Sequence, residues 1–172
     1  MRSMTVAICL TLVAPLAAQT KQDFPGVTNF SRVDATVACG GATEVAALEA
    51  LKKDGFKTVI NLRVASEPGA NVEQSQAKAT ELGLNYVHIP FAAATPDPKV
   101  IDSFLATIAN PANQPVFVHC ASANRVGAVW LAKRVLQDGY SVEKATAEAK
   151  AIGLSSPALE KFALQYITDH KP

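Results

Sequence analysis

The chain has 172 residues, 49% of them hydrophobic, enough for one ordinary domain with a substantial core. Its 16 Lys+Arg against 15 Asp+Glu leave it almost neutral, which argues against nucleic acid or an anionic membrane surface as a partner. With His88, His119 and His170 as the only imidazoles, and no Cys-x-x-Cys or His-x-x-x-His spacing, no metal and no cofactor are expected.

Residues 1–19 read as a signal peptide: Arg2 precedes an apolar run from Val6 to Ala18 that ends in small residues and is short for a spanning helix. The expected location is therefore periplasmic or secreted, with no membrane attachment after cleavage. Cys9 would leave with the leader, and Cys39 and Cys120 would remain in a disulfide-permissive compartment. Residues 20–29 read as a polar linker and 30–172 as the folded domain.

In that domain, Ser31 to Cys39 alternates with Val33, Ala35 and Val37 on one face, the pattern of a half-buried strand. After Gly40-Gly41, Thr43 is placed to cap a helix carrying Val45, Leu48 and Leu51, which stops at Asp54-Gly55. Lys57 to Leu62 is a β-branched run suited to a strand buried on both faces. A loop from Arg63 to Asn71 leads to a helix over 72–82, a strand over 85–89 ended by Pro90, and a second loop to Pro98. A helix with Val100, Ile101, Phe104, Leu105 and Ile108 inward then precedes an apolar strand over 115–119. A helix starting near Arg125 or Val126 follows, and helices over 142–152 and 157–167 close the chain. The alternation of strand and helix predicts a single α/β domain: a mostly parallel central sheet of four to five strands flanked by helices, with ligands bound beyond the C-terminal strand ends.

The loop at one such end is His119-Cys120-Ala121-Ser122-Ala123-Asn124-Arg125, squeezed between an apolar strand and an apolar helix. In so short a turn the N–H groups of Ala121, Ser122, Ala123 and Asn124 and the positive end of the helix can hold an anion and stabilise a thiolate, and Arg125 can clamp oxyanion oxygens on two prongs. Taken singly, Cys120 would be an ordinary buried residue and Arg125 a surface ion pair. The combination points to an anion-handling nucleophilic site.

These residues resemble the dual-specificity-like branch of the protein tyrosine phosphatase superfamily, and more closely a bacterial phosphatase-like family related to the beta-lactamase-hydrolase-like proteins. The resemblance runs from Phe30 to Leu136. It rests on Cys39-Gly40-Gly41, on Gly55-Phe56-Lys57-Thr58-Val59-Ile60-Asn61-Leu62-Arg63 with Glu67, on Gly83 to Pro90, and on Pro115-Val116-Phe117-Val118-His119-Cys120. It implies a phosphatase-like fold and a phosphocysteine on Cys120. It further implies a phosphate bound by loop amides and Arg125, an acid for the leaving oxygen, and a phosphorylated small molecule or phosphoprotein as substrate. This loop has four residues between Cys and Arg where the superfamily has five, Ala123 where it has a glycine, and Val126 where it has a hydroxyl residue, with Ser122 as a substitute hydroxyl.

The shortened loop also resembles that of rhodanese-like sulfurtransferases, which would carry a persulfide on Cys120. The Ile60 to Arg63 and Tyr86 to Pro90 blocks favour the phosphatase. A third reading is an inactive module that binds phosphate or sulfate. In the phosphatase reading Asp97 is the one acid in the loop after Pro90, although Asp at a helix start is equally an ordinary cap. Asp102 falls on a helix surface. Arg63 and Glu67 can reach the rim and contact substrate, or simply pair with each other. His119 reads as a core histidine rather than a base, and Trp130 as core. Cys39, also at a strand end, either approaches Cys120 closely enough for a protective disulfide or stays buried and unpaired.

Overall fold

The computed structural model describes residues 20–171, so the leader expected over 1–19 lies outside the described residues. The run over 57–62, read as a strand buried on both faces, and the apolar strand read over 115–119 are the middle of the sheet: β4 (Thr58–Asn61) and β6 (Val116–His119) have every residue buried. β6 lies between β4 and β3 (Val37–Gly40), parallel to both, and β5 (Asn85–His88) extends the parallel set beyond β4. Two short antiparallel strands, β1 (Thr20–Lys21) and β2 (Ser31–Arg32), complete a six-stranded sheet in the order β1-β2-β3-β6-β4-β5. The predicted α/β domain with a mostly parallel sheet is the fold observed.

The pleat sends alternate residues to opposite layers. Cys39, Ile60 and Val118 face a core shared with α3 (Lys99–Ala109), α4 (Asn124–Leu136), α5 (Val142–Ile152) and α6 (Pro157–His170). Ala38, Val59 and Phe117 face a second core with Leu48 and Leu51 of α1 (Ala47–Lys53) and Ala79 of α2 (Val72–Glu81). α4 is the central helix: from Arg125 to Ala132 every residue is buried, so it has no polar face to show to solvent.

Three expectations need correcting. The strand read over 31–39 is a hairpin, because the Asp34 carboxylate accepts hydrogen bonds from the main-chain N–H groups of Thr36 (2.8 Å) and Val37 (2.9 Å) and so turns the chain between β2 and β3. Thr43 does not cap α1, which starts at Ala47; its hydroxyl instead donates to Gly41 O (3.2 Å). The stretch 20–29, read as a linker, packs on the domain. Gly41 N–H donates to Thr28 O (2.7 Å), Thr28 N–H to Ala42 O (2.9 Å), and the Phe24 ring stacks on Phe30 with centroids 4.5 Å apart. Alternating hydrophobicity carries no signal for a segment held chiefly by its main chain.

Candidate active site

Because β6 is central, the residue that follows it sits at the middle of the C-terminal sheet edge, flanked by the ends of β3 and β4. That residue is Cys120, whose N–H donates to Gly40 O (3.3 Å). Beyond it, Ala123 adopts a left-handed conformation (φ +69°, ψ 1°) and leads into α4 without a side-chain cap. Among the described residues, the main-chain N–H groups from Ala121 to Val126 donate to no protein acceptor. Ala121 and Ser122 are exposed while Cys120 has no exposed surface, so a ligand must enter the loop to meet the sulfur.

The loop is braced on both sides. On one, Asn29 Nδ2 donates to Ser122 O (3.4 Å). On the other, the Asn124 carboxamide oxygen accepts from the N–H groups of Ser155 (3.1 Å) and Ser156 (3.2 Å), tying the start of α4 to the turn before α6. The side chain of Asn124, expected in a binding loop, therefore points to this turn.

Arg125, 7% exposed, is fixed end-on. Its Nη1 donates to Glu67 Oε1 (2.5 Å), Phe91 O (2.9 Å) and Leu62 O (3.3 Å), and its Nη2 to Glu67 Oε2 (2.8 Å). The Nε–H and the second Nη2–H, the side-on fork of the guanidinium, meet no oxygen acceptor among the described residues, and the guanidinium lies within hydrogen-bonding reach of Cys120. Burial is the largest single influence and opposes the Arg125 charge, but the hydrogen bonds and charge of Glu67 together with neighbouring Cys120 outweigh it and raise its pKa. Glu67 responds in the opposite sense: the hydrogen bonds from Arg125 outweigh its partial burial, and with the Val64 N–H they hold its carboxyl down at about 2.

Arg63, expected to reach substrate, spends its guanidinium on its own loop: Nε on Glu67 Oε2 (3.3 Å), Nη1 on Gly69 O (2.8 Å) and Nη2 on Pro68 O (2.6 Å). Asp97 is exposed just before α3, and its carboxylate accepts from Lys99 N–H (2.9 Å) in an Asx turn that leads into the helix; the cap position itself is Pro98, and no hydrogen bond joins Asp97 to the Cys120 loop. Asp102 accepts a short hydrogen bond from the Tyr166 hydroxyl. His119 lies on the layer opposite Cys120, stacked on Phe117 and 3% exposed. Burial pushes its pKa down to about 4, so it is neutral near pH 7. Trp130 is core, with Nε1 donating to Glu148 (3.0 Å). Cys39 and Cys120 are free thiols, and the register sets Cys39 opposite Val118, two residues short of Cys120. Burial, seconded by the Asp34 carboxylate, raises the Cys39 thiol well above its usual range.

A family model described as a DSP-PTPase phosphatase fused to NAD+ kinase matches residues 12–165. The chain belongs to this DSP-PTPase family. Over 98 residues it is 33% identical to a beta-lactamase hydrolase-like protein of Agrobacterium fabrum, a match that covers 55% of this chain but only 22% of that longer protein. Its fold is that of a candidate phosphatase (DUF442) from Shewanella putrefaciens CN-32, with a TM-score of 0.71, 21% identity, and 84% of this chain and 89% of that one covered. It is equally that of TpbA from P. aeruginosa, with a TM-score of 0.68, 19% identity, and 90% and 92% covered. TpbA has also been solved as a Cys-to-Ser variant in complex with phosphotyrosine.

Within the DSP-PTPase family the braces around the loop gain a meaning. Ala123 takes the positive φ that a loop glycine would supply without strain, and surrounding contacts hold it there. Sequence reading named Cys120, Arg125 and Glu67 but missed Asn29 and the 153–156 turn. The helix from Pro157 was expected; the contact of the preceding turn with Asn124 was not legible, because the two lie on different elements.

Proposed function

We propose that the chain is a cysteine-dependent phosphatase that hydrolyses a phosphate monoester through a phosphocysteine on Cys120. One observation carries this reading. The unfilled side-on fork of Arg125 and the unpaired N–H groups of Ala121 to Val126 flank a single sulfur at the N-terminus of a 13-residue helix. Such donors suit the equatorial oxygens of a transferring phosphoryl group, and Glu67 sets the fork in place beforehand.

In the first step the Cys120 thiolate attacks phosphorus, the S–P bond forms and the P–O bond to the leaving group breaks. The leaving oxygen takes a proton from Asp97, the one acid in the loop 90–98, whose first turn is tied to the site through Phe91 O and Arg125. Glu67 cannot serve, since it stays ionised down to about pH 2. Nor does His119, neutral and on the far layer. In the second step water attacks phosphorus, Asp97 carboxylate accepts its proton, and inorganic phosphate leaves with the thiolate restored. Ser122, exposed on the loop, is the hydroxyl available to the departing sulfur. The substrate is a phosphorylated small molecule or phosphoprotein, and the apolar run Val6 to Ala18 supports a periplasmic or secreted site of action.

The test is phosphate release from aryl and alkyl phosphates by the reduced protein, run beside thiosulfate-to-cyanide sulfur transfer and inorganic phosphate binding, each repeated with Cys120→Ser. Phosphate release lost in Cys120→Ser is the expected result. Cys120-dependent sulfur transfer alone would make the protein a sulfurtransferase, and phosphate binding without either reaction would make it a binding module.

A further inference from the structure

The rim of the Cys120 loop is poor in available positive charge. The triad Arg63, Glu67 and Arg125 carries one net positive charge, and its donors are committed to each other, to loop carbonyls or to the loop around Cys120. Beside it opens a cleft of about 440 Å³ walled by the segments 26–28 and 42–44 and by Arg63, Gly69 and Asn71. Two contacts join this cleft to the Cys120 loop: Asn29, next to the lining residue Thr28, donates to Ser122 O, and Arg63 shares Glu67 with Arg125. The cleft holds two charged side chains. Arg63 shares the Glu67 carboxylate with Arg125 and spends its remaining donors on the Gly69 and Pro68 carbonyls, while Glu44 is exposed and makes no ion pair among the described residues. Its N–H donates to Gly26 O (2.8 Å), which fixes the base of its side chain at the cleft wall.

Neighbouring surfaces do not reverse this sign. The outer side of the 63–71 loop is lined by Glu67 and Glu73 without a cation, and the shallow cleft over residues 21–30 sets Lys21 beside Asp23. At the start of α3, Lys99 is flanked by Asp97 and Asp102. A site built for a substrate with several phosphates or carboxylates would focus positive potential over the leaving-group region. Here the phosphoryl group itself takes up the single net positive charge, and a second anion would meet Glu44.

We infer that the cleft receives the leaving group of a phosphomonoester that carries no second anionic group, and that Glu44 is a specificity-determining residue that disfavours anionic neighbours and favours neutral or cationic ones. This rests on the hydrolase reading above and deepens it. The test compares kcat/KM for phenyl phosphate, 4-(aminomethyl)phenyl phosphate and 4-(carboxymethyl)phenyl phosphate, whose methylene spacer keeps leaving-group basicity nearly constant. The aminomethyl ester is expected to exceed the carboxymethyl ester by about fivefold at low ionic strength, a difference equivalent to ~1 kcal/mol. The gap should narrow in about 0.5 M salt and shrink to less than about twofold in Glu44→Gln, the changes expected when a screened charge is the cause. Equal rates for the two charged esters, or a ratio that survives Glu44→Gln, would overturn the inference while leaving the hydrolase intact. Failure to hydrolyse any of the three would overturn the hydrolase reading, and this inference with it.

Discussion

Helix α4 carries a buried arginine at each end, and the two have opposite fates. Arg125 and Arg134 are each 7% exposed, and each is bound to a carboxylate on another element. In Arg134 the side-on fork is filled: Nε (3.1 Å) and Nη2 (2.8 Å) both donate to Glu148 Oε1, while Nη1 donates to Asp138 (2.8 Å). The faces of its guanidinium are covered by Trp130 and Tyr140, with centroids at 4.4 and 5.0 Å. In Arg125 the carboxylate takes the end of the guanidinium instead, and the same side-on fork is left over beside Cys120. A buried, paired arginine therefore says little about function. What separates a strut from a clamp is which edge the carboxylate occupies, and whether the helix end beside it offers free N–H groups or spent carbonyls.

The largest expected effect breaks the pair apart directly. Arg125→Ala should lower kcat/KM for an aryl phosphate by at least about 10² to 10³-fold, the scale of losing one preorganised oxyanion donor. Arg134→Ala should instead destabilise the fold by about 3–5 kcal/mol, because it strands the Glu148 carboxylate. Its kcat/KM per folded molecule should stay within about twofold. Denaturant midpoints and active-site-normalised kinetics on both variants decide the matter, and an equal loss of activity in Arg134→Ala would remove the distinction. Glu67→Gln tests the clamp from its other side: it keeps a hydrogen-bonding carbonyl but removes the charge. An expected decline in kcat/KM of about 10–100-fold corresponds to one charged hydrogen bond, with Km for the ester rising more than kcat falls.

Acid should resolve one buried and one half-buried group, His119 and Glu67, in sequence. His119 has a folded pKa pushed down to about 4 from an ordinary 6.5, so below pH 6.5 the unfolded chain binds a proton that the folded chain refuses. Stability is then lost between pH 6.5 and about 4. Glu67, lowered from 4.5 to about 2, contributes on the order of 2 kcal/mol after allowance for screening of its 27% exposed side chain. That contribution is complete above pH 4.5 and disappears as pH falls through about 2. Thermal midpoints measured every half unit should show both slopes in the parent chain. The upper slope should be missing in His119→Gln and the lower in Glu67→Gln; unchanged profiles in these variants would show that other groups govern acid unfolding.

Much of the architecture was legible because it rests on local pattern. The run over 57–62 read as a strand buried on both faces and 115–119 as an apolar strand, and both lie fully buried in the sheet; the central place of α4 shows only in the fold. Cys120 and Arg125 were legible for the same reason, since strand end, short loop and helix start are all written in consecutive residues. What escaped depends on contacts between distant segments. Asn29 reaches Ser122 across 93 residues, and Asn124 reaches Ser155 across 31. The hairpin at Asp34 escaped because one carboxylate overrode an alternation that otherwise fits a strand. Arg63 was placed at the rim by its position after β4, which is correct for its backbone, but only the folded loop shows that Pro68 and Gly69 carbonyls absorb its guanidinium.

Two glycines, one near each end of α4, give the smallest and most discriminating test. Gly139 follows the C-terminus with φ +69°, and a Cβ added there would meet nothing within 4 Å. Gly139→Ala should therefore cost only the left-handed conformation, about 1 kcal/mol, with unchanged kcat/KM. Gly153 has φ +151°, and a Cβ there would come 2.9 Å from the Ala123 Cβ and 3.1 Å from Ser122 O. Gly153→Ala adds that collision to the backbone strain, for a total of about 2–4 kcal/mol, and the atoms it displaces belong to the loop around Cys120. Its folded fraction should accordingly show reduced kcat/KM, whereas Gly139→Ala should not. If both variants lost stability alone, the turn before α6 would be a structural buttress, and the shape of the Cys120 loop would be held by Asn29 and the end of β6 without it.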